Sequence, residues 1–572
     1  MKRRKVLAVL LAAAAMVSAF AGCSGNGGST VETAGITENT PEVVKTSENK
    51  DLTPLGKYDE PITITTAKVS MANPHFPEGK SSSDNVTLDW LKEKLNIDVD
   101  ILWEADGGEY TNKLSLAIAS GEIPDMIWIG NNDYNLLKTL VDNDMLADLT
   151  DAYENCAGDY MKATHASFEG KNLEPLTFDG KLMAIPGASL GYAHDVLWIR
   201  KDWLDKLGLE EPRTLEDIQN IAREFIAKDP GENGEGNTIG IALDAVRPVG
   251  GYGTYAGLEP IFNMMDAWPR QWMEDENGKV YYGSTSEKMK EGLQVVSDMY
   301  AEGLLDKSFV VRTNPGEVSA LINSNQVGMY FGPWWTAFER QDLAKEHPEA
   351  EWVAVNAPLD ENGKFKHMEP SPTANFLCVR KGYEHPEAII KMLNLENDMA
   401  RGYMEGGTEA MKPYKDAGTN WVAQYPTGDI NIEYYDIVPK TGHYIAEYLK
   451  DDTFQGDDTT TEQDRTSWRY AREYAESKDV NSAGWGEYYA RYIGSTILDA
   501  PESVGVPSAF YYTTKSSQDY KADLDKLEDE MYLKIITGEE TVDYFDEFVE
   551  TWGVLGGDIL TQEVQEIVDS QK

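Results

Sequence analysis

The stretch PITITTAKV, residues 61–69, alternates apolar and polar side chains, a pattern typical of a β-strand. The next stretch, SSSDNVTLDWLKEKLNIDVDILWE (81–104), predicts a capped helix that runs into a second strand. A third, YTNKLSLAIASGEIPDMIWIGN (110–131), predicts another helix, a stop at Gly121 and a buried strand from Met126 to Ile129. Because strand and helix alternate, we predict a parallel α/β sheet at the start of the folded chain.

Later blocks continue this pattern. Residues 202–229 are strongly helical, with Thr214 placed as N-cap and Asp217 three residues further on. The stretch NPGEVSALINSNQVGMYFGPWW (314–335) predicts a helix and then a strand that ends in two tryptophans, and residues 519–538 predict an amphipathic helix. More than 500 residues follow Tyr58, which is enough for two or more lobes with separate cores.

The first 22 residues predict a signal peptide. Residues 2–5 are basic, and residues 6–20 are uncharged, apolar or small, and too few to span a membrane. Residues 20–23, FAGC, resemble the lipobox of bacterial lipoproteins, which implies that Cys23 carries lipid, such as palmitate, and becomes the new N-terminus. The alternative is an ordinary secretory cleavage near a chance cysteine. The lipoprotein interpretation predicts a protein attached by its lipid to the extracellular face of the cell membrane.

Residues 23–57 are rich in Ser, Thr, Gly, Glu, Asn and Pro and contain no aromatic residue, so we predict a flexible tether. Loss of the four basic leader residues takes the formal net charge from −47 to −51. A charge of this size repels phosphate backbones, which excludes nucleic acid as an expected partner. Aromatic residues make up 10% of the chain, with 14 Trp and 30 Tyr, which favours a protein that binds a ligand through aromatic faces.

Cysteine and histidine content limits the other chemistry of the chain. If Cys23 carries lipid, Cys156 and Cys378 remain, and nothing in their spacing decides between a disulfide and two buried thiols. The seven histidines never fall three to five residues apart, so the sequence contains no helical zinc pair.

Two short motifs invite an enzymatic interpretation. GASLG (187–191) has the spelling of a nucleophile elbow, but a β-rich stretch follows Ser189 where a helix is required. GGYGTYA (250–256) resembles a fragment of a dinucleotide-binding motif but follows a Pro-containing loop and lacks a placed acidic partner. We therefore expect no enzyme. A secreted cell-surface glycoside hydrolase remains the alternative, because 98 acidic residues supply carboxylate pairs everywhere and such an enzyme also uses aromatic faces.

The loop DPGENGEGN (229–237) resembles an incomplete calcium loop. Oxygen ligands fall at alternating positions, namely Asp229, Asn233, the Glu235 carbonyl and Asn237. Gly231 stands where a third-position ligand belongs, and Gly240 stands at the twelfth position. No cofactor is required by the sequence, and a structural Ca²⁺ at this loop is left open against a glycine-rich surface turn.

Three stretches together resemble one family. FDGKLMAIP (178–186), LWIRKDWLDKLGLEEPRTLEDIQNIAREFIAKDPGENG (197–234) and TGEETVDYFDEFVETWGVLGGD (537–558) are similar to family 1 of the extracellular solute-binding proteins of ABC transporters. Within that family, they resemble the large lipoproteins of oligosaccharide importers. In such relatives the loop at 229–237 carries a fuller calcium set, so the missing ligand at Gly231 sets this chain apart.

The resemblance implies an α/β, two-lobed, periplasmic-binding-protein-like fold with crossing hinge strands and a ligand cleft between the lobes. We expect lobe I over 58–185 and about 325–375, lobe II over 186–324 and about 376–510, and C-terminal helices over 511–572 that pack on the lobes. The implied function is that of a monomer that captures a carbohydrate and delivers it to the permease subunits of an ABC transporter. Which sugar it takes stays open.

Aromatic and amide residues at predicted strand ends are the candidates for the sugar site, because ligands bind an α/β crevice at the carboxyl ends of its strands. Trp334 and Trp335 follow one such strand, and Asn131, Asn132 and Asp133 follow another. The opposing side is predicted to include Tyr192, Tyr252, Trp268 and Trp272. Trp203 falls within a helical stripe and is predicted to be core.

Overall fold

The computed structural model of the chain describes residues 52–572, apart from 193, 245–246, 252–253 and 458. The predicted signal peptide, Cys23 and the tether to residue 51 lie outside these described residues. The strands are β1 Ile62–Val69, β2 Ile97–Ala105, β3 Met126–Gly130, β4 Thr177–Phe178, β5 Lys181–Leu182, β6 Ile185–Ala188, β7 Val196–Arg200, β8 Ile239–Ile241, β9 Trp272–Glu274, β10 Val280–Tyr282, β11 Val327–Gly332, β12 Trp352–Val355, β13 Phe365–Met368, β14 Thr373–Val379 and β15 Ser503–Val506.

The α-helices outnumber the strands. They are α1 Val86–Trp90, α2 Gly107–Ser120, α3 Tyr134–Asp142, α4 Thr150–Cys156, α5 Asp159–Ser167, α6 Lys201–Leu207, α7 Leu215–Lys228, α8 Glu259–Asn263, α9 Glu287–Glu302, α10 Pro315–Asn323, α11 Gln341–Glu346, α12 Ala388–Arg401, α13 Gly407–Ala417, α14 Trp421–Gln424, α15 Ile437–Lys450, α16 Glu462–Ser477, α17 Gly484–Gly486, α18 Ser517–Thr537, α19 Tyr544–Trp552 and α20 Asp558–Gln571. Within the described part of the chain, three segments are π-helical, at Leu91–Leu95, Glu487–Gly494 and Gly553–Gly557.

The first sheet has the strand order β2-β1-β3-β14-β6. Strand β1 runs parallel to β2 and β3, while β14 runs antiparallel to β3 and β6. The alternating strands and helices of residues 61–131 therefore form the parallel part of this sheet, as predicted. The helices that cover the sheet close a core built from residues 58–188 and 373–432, which we call the first lobe.

The second sheet has the order β12-β7-β11-β8, with β11 parallel to β8 and antiparallel to β7. Every residue of β7 and of β11 is buried, because helices pack on both faces of the sheet. The two resulting cores draw on residues 196–357, 437–498 and 524–560, and together they define the second lobe. The mixed α/β, two-lobed fold predicted from the sequence is confirmed.

Strand pairing corrects the predicted lobe boundaries. Strands β11 and β12 pair with β7 in the second sheet, so most of 325–375 belongs to the second lobe and not to the first. Strand β14 pairs with β3, so the chain returns to the first lobe near Thr373 instead of leaving it near residue 376. The sequence could not show this, because strands of both sheets are similarly apolar and β14 lies about 245 residues from its partner.

Four segments of the described chain connect or bridge the lobes, and we call them the crossing segments: 189–195 without residue 193, 358–372, 434–436 and 499–514. Within them, β13 pairs in parallel with β15. The chain also places the side chain of Tyr512 in a stack with Tyr134 of the first lobe, at a ring separation of 4.5 Å. The C-terminal helices α18 to α20 then pack on the second lobe through buried residues such as Met531 and Ile535.

Several local predictions meet direct tests in the structure. The Thr214 side chain accepts from the Asp217 amide while Asp217 accepts from the Thr214 amide, so the predicted cap of α7 is a full capping box. Cys156 and Cys378 are both buried, and neither forms a disulfide within the part of the chain that the structure describes. Of the two alternatives left by the sequence, the structure therefore has two buried thiols. Among the described residues, no helix is long and apolar enough to cross a membrane.

Candidate binding site

In the first lobe, the carboxyl end of β3 carries a cluster of amide, carboxylate and indole groups. The Asn131 amide donates to Asn375 Oδ1 at 3.4 Å, and the Asn375 side chain donates to the Asp429 carbonyl at 2.9 Å. Asn131 Oδ1 and Trp128 Nε1 are buried, and neither has a hydrogen-bond partner among the described residues. A buried polar atom without a hydrogen-bond partner lowers the stability of the fold, unless a ligand or a water molecule forms the missing hydrogen bond.

Packing holds the Trp128 ring at this edge. Tyr110 of α2 meets the ring edge-on at 5.7 Å, and its hydroxyl donates to the Trp128 carbonyl at 2.7 Å. A Cβ atom on Gly428 would lie 3.0 Å from Trp128 Cδ1, so glycine lets the loop that carries Asp429 rest on the indole. Burial raises the pKa of Asp429, against an opposing hydrogen bond from Asn375. Trp128, Asn131, Asn375 and Asp429 are the first-lobe edge.

The three residues predicted at 131–133 have different surroundings in the structure. Asn131 belongs to the first-lobe edge, Asn132 is exposed, and Asp133 turns back to accept from the Thr111 hydroxyl at 2.9 Å. Burial raises the pKa of Asp133. The prediction that all three side chains face one crevice therefore finds geometric support for Asn131 alone.

In the second lobe, β11 ends at Gly332 and delivers Pro333, Trp334 and Trp335 to the carboxyl edge of the sheet, as the sequence predicts. The Pro333 carbonyl accepts from Thr336 Oγ1 at 2.7 Å and from Trp198 Nε1 at 3.3 Å, which fixes the turn. Both tryptophans are therefore carried on a backbone that is held on two sides.

The two tryptophans differ in exposure. Trp335 is 41% exposed and lies 6.2 Å from Tyr255. Trp334 is half-buried, and the Arg491 guanidinium lies over its ring at 6.0 Å. Arg491 in turn pairs with Glu487 at 3.0 Å. Trp334, Trp335, Tyr255 and Arg491 are the second-lobe edge.

A cavity of about 510 Å³ runs between the lobes beside these groups. Helix α12 and residues 430–433 line it from the first lobe, and α15 and Arg491 line it from the second. A smaller cavity of about 140 Å³ lies against Trp128 and Asp429. Arg491 connects the second-lobe edge to the larger cavity. The consecutive residues Asp429 and Ile430 line the smaller and the larger cavity respectively, so the two cavities are neighbours. We call the region formed by these two cavities and the two sheet edges the cleft. Cavities of this size hold small molecules.

Two ionisable groups in the first lobe at the cleft have shifted pKa values. Burial lowers the pKa of Lys68, which donates to the Ala423 carbonyl at 2.7 Å, to about 8. Burial also raises the pKa of Glu396, which lines the larger cavity, to about 8. At neutral pH Glu396 is therefore largely a carboxylic acid, a form that donates a hydrogen bond as well as accepting one.

We expect the protonation of Glu396 to appear in the pH dependence of stability. Its folded-state pKa lies above the ordinary value of 4.5, so the native state keeps a proton that the unfolded chain has released, and stability falls as pH rises from about 4.5 to about 8. The variant Glu396→Gln should gain stability relative to the parent over this window and match it near pH 4. Denaturant unfolding at several pH values measures this, with exposed Glu409→Gln as control; a pH-independent difference would contradict it.

Two of the other aromatic residues predicted for the sugar site, Trp268 and Trp272, pack against other side chains instead of facing the cleft. Trp268 is only 5% exposed and packs on Met273 and Met368, so the structure corrects its predicted sugar-facing position to a small core. Trp272 packs against Tyr282 and Trp552 at ring separations of 5.0 and 6.3 Å, which also places it away from the cleft.

Tyr192, Tyr252 and Trp203 complete the predicted aromatic set. Tyr192 lies on a crossing segment and meets Tyr435 edge-on at 5.3 Å. Tyr252 lies outside the described residues. Trp203 is core, as predicted. Sequence reasoning missed Trp128, which resembles an ordinary strand residue, and Asp429, which lies in a loop without any motif.

Ser189 does not have the surroundings of a nucleophile. It follows β6 and is the first residue of the crossing segment that leads into β7, so no helix of the described chain begins directly after it to supply an oxyanion-binding amide. Its own amide donates to the Pro372 carbonyl at 3.5 Å. The GASLG motif is therefore part of the connection between the lobes.

The loop at 229–237 is closed by its own hydrogen bonds. Asp229 accepts from the amides of Asn233 and Gly234 at 2.9 and 2.8 Å and from the Thr238 hydroxyl. A Cβ atom on Gly231 would lie 2.5 Å from Trp203, so packing closes the third position to a carboxylate. One carboxylate that already accepts three hydrogen bonds does not fit the oxygen set that Ca²⁺ requires. The described residues contain no group of three or more His, Cys, Asp or Glu side chains able to hold a metal.

We therefore expect the melting temperature to be the same in calcium and in EDTA. The variant Asp229→Ala should lose about 1–3 kcal/mol of stability, because three donors lose their acceptor. The Thr238 hydrogen bond lowers the pKa of Asp229, so this contribution is present at neutral pH and is lost as pH falls through the lowered value. A rise in melting temperature on adding calcium, absent in Asp229→Ala, would show that a cation closes the loop.

Comparison with known proteins gives both a family and a fold. Residues 73–395 match the family model described as bacterial extracellular solute-binding protein. The polygalacturonan/rhamnogalacturonan-binding protein YtcQ of Bacillus subtilis is 26% identical over 289 residues, which are 47% of this chain and 54% of YtcQ. The fructooligosaccharide ABC transporter substrate-binding protein FusA of Streptococcus pneumoniae is 26% identical over 239 residues, which are 40% of this chain and 43% of FusA. The chain thus spans about half the length of the curated relatives it matches.

Solved structures share the fold across nearly the whole chain. A solute-binding protein from Bifidobacterium longum infantis, described as binding HMO, superposes with a TM-score of 0.60 at 15% identity and covers 89% of this chain and 99% of its own. The alginate-binding protein AlgQ2 without calcium ion superposes with a TM-score of 0.55 at 16% identity over 90% of this chain and 99% of its own. At these identities the likeness describes the fold alone.

Proposed function

This chain belongs to the bacterial extracellular solute-binding protein family, and from that premise we propose that it captures an oligosaccharide in the cleft and delivers it to an ABC transporter permease. The relatives support the ligand class, because YtcQ and FusA are named for carbohydrates. A protein that hands on its ligand unaltered needs recognition groups and no catalytic ones.

The observation that carries the proposal is the chemistry of the two edges. A pyranose or furanose ring presents C–H faces that pack on an indole, and hydroxyl edges that need hydrogen-bond partners. Trp335 supplies an exposed indole on the second-lobe edge. Asn131 Oδ1 and Trp128 Nε1 supply a buried acceptor and a buried donor that lack partners among the described residues of the first-lobe edge. A sugar between the edges satisfies both requirements at once.

The proposed mechanism is a shift between open and closed arrangements of the lobes. A sugar that touches both edges gains contacts in the closed arrangement that it lacks in the open one, so binding favours closure. The crossing segments are the chain elements across which such a movement must occur. Release to the permease then needs only a partner that favours the open arrangement.

For the cellular location, we propose that the leader is removed before Cys23 and that the lipid on this cysteine holds the protein at the extracellular face of the cell membrane. The support is the FAGC sequence, the extracellular character of the family, and a relative named as lipoprotein LipO in Bacillus subtilis. The tether would then let a monomer reach a permease in the same membrane.

The test is to incubate the mature protein with a panel of fructo-, xylo-, galacto- and galacturono-oligosaccharides while recording melting temperature and new reducing ends. We expect a rise in melting temperature with at least one sugar and no new reducing ends. New reducing ends that depend on the protein would show a glycoside hydrolase instead. No shift with any carbohydrate, alongside a shift with another solute class, would contradict the proposed ligand.

A further inference from the structure

A second cavity of about 510 Å³ lies against the crossing segments and shares no lining residue with the cleft. Its lining comes from the end of α5 and the chain that follows (167–175), from Ser189 and Gly191, from 369–372, from Tyr435, from 507–512 and from Gln571 at the end of α20. None of these residues belongs to the first-lobe edge or to the second-lobe edge, between which the sugar is proposed to bind. This second cavity therefore needs its own explanation.

Two glycine residues allow the side chains of Tyr435 and Glu369 to pack directly on the backbone at this cavity. A Cβ atom on Gly191 would lie 2.1 Å from Tyr435 Cε2, so the phenol ring rests directly on backbone. A Cβ atom on Gly505 would lie 2.5 Å from Glu369 Oε1, so the carboxylate rests in the same way. Because both glycines have ordinary φ values, the requirement for glycine comes from these close approaches. The ring of Tyr435 is thus held against the backbone at Gly191, and the side chain of Glu369 packs on the backbone at Gly505.

The lining combines aromatic rings with unbalanced negative charge. Phe168, Tyr435 and Tyr511 supply rings, and Phe168 meets Tyr435 edge-on at 5.3 Å. Three carboxylates line the cavity against one lysine, Lys171, which pairs with Glu169 at 3.2 Å. Glu369 forms no ion pair among the described residues.

The Glu369 carboxylate lies in surroundings that lack a neutralising cation among the described residues. Burial raises the pKa of Glu369, with only a partial opposing effect from Lys171. Burial, and then the charge of Glu369, raise the pKa of Tyr435 to about 12, and the same carboxylate also acts on Tyr511. A half-buried carboxylate that lines the same cavity as two phenol rings, without a cation paired to it in the described chain, is an arrangement that a positively charged ligand would complete.

We propose that this cavity is a second ligand site, which takes a small organic cation between the rings of Tyr435 and Tyr511 with its charge against Glu369. The volume lies within the range of small-molecule sites. Aromatic faces and a carboxylate together favour an ammonium group over a neutral ligand of the same shape. The site is independent of the sugar cleft, so neither proposal rests on the other.

The test uses choline chloride as the probe and 3,3-dimethyl-1-butanol as its uncharged counterpart of the same shape, each titrated into the full mature protein by calorimetry at constant ionic strength. We expect choline to bind and the alcohol to bind about tenfold more weakly or not at all. Glu369→Gln removes the charge without changing the size of the side chain, and it should weaken choline binding by about tenfold. Exposed Glu122→Gln, just beyond the end of α2, is the matched control and should bind like the parent.

Three outcomes would overturn the proposal: no choline binding by the parent protein, equal binding of choline and the alcohol, or undiminished choline binding by Glu369→Gln. A melting curve of each variant without ligand shows whether it is folded. If Glu369→Gln does not fold, Tyr435→Phe and Glu369→Asp replace it; the first keeps the ring and should retain binding, and the second withdraws the charge and should weaken it.

Discussion

Trp335→Ala is expected to weaken oligosaccharide binding by about 2 kcal/mol, roughly thirtyfold in Kd. The indole is 41% exposed at the carboxyl edge of the second sheet and sits beside Tyr255, so it offers a flat apolar face to the cleft. Because Trp335 belongs to none of the buried core clusters, the truncation should lower the free energy of unfolding by less than the loss of a fully buried tryptophan would. Calorimetric titration with the sugar identified by the melting panel measures the effect.

The matched control for Trp335 is Tyr470→Ala. Tyr470 is 42% exposed on α16 of the second lobe and lines neither interlobe cavity. The substitution Tyr470→Ala therefore removes an equally exposed aromatic ring from the same lobe, at a position away from the cleft. Equal affinities of Trp335→Ala and the parent protein would remove this tryptophan from the site, whereas equal losses in both variants would point to a nonspecific effect of the substitutions.

Asp429→Asn should produce a loss of similar size, about 2 kcal/mol, from the opposite lobe. Its carboxylate lies half-buried at the first-lobe edge, next to Trp128, and desolvation has already raised its pKa. A sugar hydroxyl that donates to this carboxylate makes a charge-assisted hydrogen bond, which the amide replaces with a weaker neutral one. Calorimetry with the same sugar checks this prediction.

Asp133→Asn is the control, because the structure separates these two acids. Both are half-buried and both have raised pKa values, yet Asp133 accepts from Thr111 of α2 and turns away from the cleft. We expect Asp133→Asn to bind sugar like the parent protein. If Asp133→Asn loses affinity and Asp429→Asn does not, the sequence prediction of the 131–133 trio is right and the sugar does not reach the first-lobe edge at Asp429.

Much of the fold was predictable, because local patterns decide it. Alternation in 61–69 and the buried strand at 126–129 were sufficient to predict the parallel part of the first sheet, and Thr214 with Asp217 predicted a capping box that the structure contains. The ends of β3 and β11 were also correctly placed, so the amino-acid pattern alone assigned Asn131, Trp334 and Trp335 to sheet edges.

The remaining errors have a common physical cause, which is that long-range pairing leaves no local signal. Strand β14 pairs with β3 across about 245 residues, and only this pairing brings Asn375 beside Asn131. Trp268 and Trp272 resemble surface aromatics in sequence because their covering groups, Met368 and Trp552, come from distant segments. Asp429 joins the site only because the loop at Gly428 rests on the Trp128 ring.

Hydrogen–deuterium exchange with and without the identified oligosaccharide tests most directly whether the sugar is held between the two lobes. We predict slower exchange on binding at both sheet edges together, over residues 126–135 and 426–431 of the first lobe and 327–338 of the second. Slower exchange in one lobe only, or only around residues 167–175 and 507–512, would contradict binding of the sugar between the first-lobe edge and the second-lobe edge.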